Sequence, residues 1–92
     1  MIGIFDSGLG GLTVAKEIMR ELPREKIIYL GDTARGPYGN KSVEEVSRYA
    51  LQNTRWLIKK RVKAVVVGCN TASAVAGLAL RREFPNIPIV EV

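Results

Sequence analysis

Histidine is absent from this chain, and cysteine occurs once, at position 69. Those gaps exclude an internal disulfide, a Ser-His-Asp triad, a Cys-His pair within the chain and almost every transition-metal site. Any chemistry must rest on carboxylates, hydroxyls, amides and one thiol. Long apolar runs are missing as well. The strongest hydrophobic stretches are far too short to cross a bilayer, and Met1 leads directly into Ile2 to Phe5 with no basic leader. A cytoplasmic protein with no membrane partner is expected. Proline is sparse, at 4 residues, while hydrophobic residues make up 47% and charged residues 25%, which describes a foldable globular chain rather than a disordered one. At 92 residues the chain fits a single small domain, residues 1–92. A domain of this size buries only about 60–65% of its unfolded surface, so its stability without a partner is marginal.

The net charge of +5 raises the question of a nucleic-acid partner. Placement answers it. Lys59, Lys60, Arg61 and Lys63 close one predicted helix and Arg81 and Arg82 another, where cations complement the negative end of the helix dipole. No aromatic residues are interleaved to stack bases, so a solvated basic surface and no nucleic-acid partner are expected.

Four runs rich in Ile and Val read as buried strands: Ile2 to Phe5, Ile27 to Leu30, Ala64 to Val67 and Ile89 to Val92. They lack polar alternation, as parallel strands covered on both faces do. Three helical patterns lie between them. Leu12, Ala15, Ile18, Met19 and Leu22 share one face before Pro23 stops the first helix. Ser42-Val43-Glu44-Glu45 is a capping box that opens the second helix. The third carries Ala72, Val75, Ala76, Ala79 and Leu80, with Pro85 just beyond it. The alternation βαβαβαβ predicts an α/β fold: a three-layer, doubly wound parallel sheet. The last strand has no helix after it, so an uncovered apolar face and an open edge are expected, and with them an incomplete domain.

Ligands of such sheets bind beyond the carboxyl ends of the strands. Three unusual segments fall there. Strand one ends in Asp6-Ser7-Gly8-Leu9-Gly10-Gly11. Strand two ends in Gly31-Asp32-Thr33-Ala34-Arg35-Gly36-Pro37-Tyr38-Gly39-Asn40, and strand three in Gly68-Cys69-Asn70-Thr71-Ala72-Ser73. Each has a plain alternative: Asp6 and Ser7 as a helix cap, the glycines as a tight turn, Asp32 and Arg35 as an ordinary crossover loop, Cys69 as an inert buried hydrophobe. Cys69 nevertheless leads into a helix start through Asn70 and Thr71, and amides there stabilise a thiolate. The glycine loop has a rival too. Gly8 to Gly11 with Asp32 suggests a nucleotide- or flavin-binding module, although Thr13 stands where the last fingerprint glycine would be.

Taken jointly, Asp6-Ser7-Gly8-Leu9-Gly10-Gly11, Gly31-Asp32-Thr33-Ala34-Arg35 with Pro37-Tyr38-Gly39, and Cys69-Asn70-Thr71-Ala72-Ser73 resemble the signatures of the aspartate/glutamate racemase family, and of its glutamate racemases in particular. The resemblance implies a flavodoxin-like half of a two-domain racemase, interconverting L- and D-glutamate without pyridoxal phosphate or any other cofactor and without a metal, and supplying D-glutamate for peptidoglycan. It makes Cys69 one of two catalytic bases and Asp6 an aid to proton movement at that thiol. Asp6, Ser7, Pro37, Tyr38, Gly39, Cys69, Asn70 and Thr71 become the substrate-binding set. The family's second Cys-Thr-His cluster has no counterpart here. One base serves only one face of the α-carbon, so the partner it implies, besides glutamate, is a missing second domain or a second copy of this chain as a homodimer.

Overall fold

The Ile- and Val-rich segments form the strands β1 (Ile2–Asp6), β2 (Ile27–Gly31), β3 (Ala64–Val67) and β4 (Ile89–Glu91) in a computed structural model that describes residues 1–92. They make one parallel sheet in the order β2-β1-β3-β4. In register, Ile4 pairs with Tyr29 on one side and Val66 on the other, and Val66 pairs with Val90. The helices α1 (Leu12–Glu21), α2 (Val43–Lys59) and α3 (Asn70–Glu83) alternate with the strands as the sequence predicts. The chain steps once to the left of β1 and then to the right. Right-handed crossovers therefore place α1 on one face and α2 with α3 on the other, giving three layers.

The two faces are unequal. Phe5, Val65 and Val67 pack with Val46, Ala50 and Leu57 of α2 and Ala72, Ala76 and Leu80 of α3 in the main core of 13 buried residues. The opposite face holds a cluster of only 4: Ile2, Ile4, Ala15 and Val66. Each fully buried aliphatic side chain contributes about 1.5–3 kcal/mol, so most of the stabilisation lies on the α2/α3 side. Beside α1 an open apolar groove of about 550 Å³ runs between Val14, Ile18 and Leu22 and the strand residues Ile2, Val66 and Val90. No helix is long and apolar enough to cross a membrane.

Helix α2 begins as its sequence dictates. The Glu45 amide donates to the Ser42 hydroxyl at 3.1 Å, and the Ser42 amide donates back to the Glu45 carboxylate at 3.2 Å. The Ser42 amide first, and then the Ser42 hydroxyl, which donates to the same carboxylate at 3.1 Å, hold the Glu45 carboxyl below its ordinary range. Between β2 and α2 lies a short 3₁₀ turn, Tyr38–Asn40, that sequence periodicity does not announce.

Candidate active site

The carboxyl ends of β2, β1 and β3 lie side by side, and the loops that follow them converge. Cys69 is itself the N-cap of α3, and its sulfur accepts from the Ala72 amide at 3.5 Å. Serine, threonine or an acid usually fills that position; here a thiol does, at the positive end of the helix dipole. The Cys69 Sγ lies 3.6 Å from the Ser7 Oγ in the glycine loop after β1. Asn70 and Thr71 form the first turn of α3 beside it, Asn70 exposed and Thr71 half-buried. Ser73 turns the other way, its buried hydroxyl donating to the Val67 carbonyl at 3.3 Å.

Asp6 closes β1 and is buried at 5% exposure. One carboxylate oxygen accepts from the Ser7 amide at 2.7 Å, and the other accepts from the Gly11 amide. Tyr29, on β2, brings its hydroxyl to 3.0 Å from the Gly8 carbonyl and 3.4 Å from the same Asp6 oxygen that Gly11 holds. Asp6 thus organises the glycine loop, and no bond joins it to the thiol. Ser7 is the polar side chain in contact with the sulfur. Gly11 has to be bare, because a Cβ there would come within 2.7 Å of the Asp6 carboxylate.

The loop after β2 is tied from within. Asp32 receives Arg35 Nε at 2.9 Å, Asn53 Nδ2 at 3.2 Å and the Tyr38 hydroxyl. Asn53, from α2, also donates to the Tyr38 hydroxyl at 2.8 Å, and the Arg35 guanidinium lies 4.2 Å above the Tyr49 ring. Burial pushes the Asp32 carboxyl up, but the bonds from Arg35, Tyr38 and Asn53 outweigh it and hold the group below its ordinary range. Burial first, then Asp32, pushes the Tyr38 phenol well up, so it stays a donor. Tyr38 is 1% exposed and its hydroxyl is committed inside this network. Any ligand contact from the turn must come from backbone or from the exposed Pro37 and Gly39. The turn is pressed onto the first loop: a Cβ on Gly36 would sit 1.9 Å from the Ser7 carbonyl oxygen.

These contacts weigh against a nucleotide site. A phosphate at the glycine loop would need the amides of Ser7 and Gly11, which the Asp6 carboxylate already holds. A ribose acid would need a free Asp32, which Arg35, Tyr38 and Asn53 enclose. The Asp6 carboxylate occupies the start of α1, so the anion-attracting helix start left at the cleft is that of α3.

No family model matches the chain. It is 57% identical over 91 residues to the glutamate racemase of Geobacter metallireducens, covering 99% of this chain and 33% of that protein. The structure superposes on the glutamate racemase of Aquifex pyrophilus with a TM-score of 0.94 at 50% identity, covering 98% of this chain and 35% of that one. In sequence and in fold, the chain is similar to about one third of a glutamate racemase. The Francisella tularensis glutamate racemase, solved in complex with D-glutamate, matches with a TM-score of 0.93 at 47% identity, over 98% of this chain and 34% of that one.

Of the residues that the glutamate racemase signatures single out, Asp6, Ser7, Cys69, Asn70 and Thr71 meet at one place. Pro37 and Gly39 lie on the adjoining turn, and Tyr38 points inward. Sequence motifs miss Tyr29 and Asn53. An alternating strand position hides the first, and a buried polar residue in the middle of a helix was the available signal for the second.

Proposed function

We propose that this chain supplies one half-site of a cofactor-independent glutamate racemase. The Cys69 sulfur, as thiolate, takes the α-proton from D-glutamate; as thiol, it returns a proton to the carbanion formed from L-glutamate. Ser7 steadies the sulfur through its hydroxyl, and Asp6 acts on the thiol through Ser7 by fixing the loop. Asn70, Thr71 and the backbone around Pro37 and Gly39 hold the amino acid and its carboxylates. The product role is to supply D-glutamate for peptidoglycan.

The observation that carries this reading is the Cys69 sulfur at the start of α3, 3.6 Å from the Ser7 hydroxyl, in a chain 57% identical to a glutamate racemase. Racemisation needs a base on each face of the α-carbon. Asp6 is spent on backbone amides and Asp32 on Arg35, Tyr38 and Asn53, so this chain offers one base. The second comes from a further domain or from a second copy of the chain. The chain spans about one third of the length of the relatives it matches, which favours a further domain.

The test joins this chain to the remaining two thirds of the Geobacter metallireducens relative. Loss of the α-proton NMR signal of D- and L-glutamate is followed in deuterated buffer. Exchange with inversion, abolished in Cys69→Ala, is expected. Inversion that survives Cys69→Ala, or no exchange from either enantiomer in a folded chimera, would sink the proposal.

A further inference from the structure

Tyr29 lies outside every motif, yet its hydroxyl stands where three parts of the site meet. Its ring projects from β2 on the α1 face, beside Ile4 in register, and the bare backbone of Gly11 clears space for its hydroxyl. A Cβ on Gly11 would lie 3.0 Å from the hydroxyl. The single phenolic proton is shared between the Gly8 carbonyl at 3.0 Å and the Asp6 carboxylate at 3.4 Å. From Asp6 the contacts continue through the Ser7 amide to the Ser7 hydroxyl and the Cys69 sulfur. We infer that Tyr29 is a positioning residue: its hydroxyl holds Asp6 and the glycine loop in one arrangement, and so sets how Ser7 meets the Cys69 thiol.

Packing alone does not account for this. A phenylalanine would fill the same space, whereas the hydroxyl places a donor against a carboxylate that otherwise has only backbone amides to fix its rotation. Burial, and after it the Asp6 charge, push the Tyr29 phenol up, so the group remains a donor across the neutral range. The inference rests on the reading of Cys69 as the reacting group.

The experiment compares the chain with its Tyr29→Phe, Asp6→Asn and doubly substituted forms, using readouts that need no glutamate. The amide resonances of Ser7 and Gly11 are followed by ¹⁵N NMR, and the rate of Cys69 alkylation by iodoacetamide is measured as a function of pH. In Tyr29→Phe both amides move while that of Glu45, in the α2 capping box, stays in place. The alkylation profile changes by about fivefold, the worth of one ordinary hydrogen bond. Asp6→Asn causes a comparable change, and adding Tyr29→Phe to it causes less than a further fivefold change, because both groups hold the one glycine loop. An unchanged profile, effects that multiply, or a Tyr29→Phe chain that no longer folds would each overturn the inference. Failure of glutamate exchange alone would count against the racemase reading and leave these outcomes standing.

Discussion

At position 69 the atom proposed to move protons is also the atom that caps a helix. The sulfur accepts from the Ala72 amide and so satisfies one of the donors that the first turn of α3 leaves free. Serine can make that bond and alanine cannot. In urea unfolding, Cys69→Ser is expected to stay near the parent, while Cys69→Ala loses about 1 kcal/mol more than the serine form. Equal stabilities would mean that the sulfur is no cap. The position of Cys69 at a strand end, followed by Asn70 and Thr71, is legible in the sequence because a Val run and an Ala-rich helix bracket it. Its capping role is not, since cysteine is rarely read as a cap. Tyr29 and Asn53 are hidden for a different reason. Tyr29 meets Gly8 from 21 positions away and Asn53 meets Tyr38 from 15, contacts that exist only once the strands are in register.

Between elements, the decisive contacts are those that bind the β2–α2 connection to its neighbours. Asp32 at the end of β2 is held by Asn53 from α2, so strand and helix are joined through one carboxylate. Its folded-state pKa lies below the ordinary value near 3.8. The ionised form therefore contributes stability that is fully present above that value and is lost as pH falls through the lower, folded-state value. Asp32→Asn is expected to cost roughly 2 kcal/mol at neutral pH, the worth of hydrogen bonds to a charged group. The stability curves of parent and variant should converge on acidification below about pH 4, where the parent carboxylate gains its proton. Chemical denaturation at a series of pH values checks this, and parallel curves would refute the linkage. The strands and helices themselves are readable from unbroken Ile and Val runs, from Pro23 and Pro85, and from the Ser42-to-Glu45 box. The interlocking of loops is not readable. Gly36 looks like any turn glycine, yet it is needed because the Ser7 carbonyl lies against it. No glycine here has a positive φ, so close approach rather than backbone freedom explains that position.

For the molecule as a whole, the governing feature is the inequality of the sheet's two faces. The α2/α3 side is closed, while on the α1 side Val90 remains 51% exposed beside the groove formed with Val14, Ile18 and Leu22. Exposed apolar surface of this kind binds hydrophobic dyes and promotes self-association. The chain is expected to enhance anilinonaphthalenesulfonate fluorescence and to associate with rising concentration in sedimentation velocity, and Val90→Lys with Leu22→Glu should reduce both. A monomer that leaves the dye dark would show that the groove is closed in solution. The groove lies along a sheet face, whereas the Cys69 sulfur lies beyond the strand ends. That separation gives protein engineers two independent handles: polar substitutions at Leu22 and Val90 can be used to keep the chain soluble, while the cleft stays available for probes aimed at its one thiol.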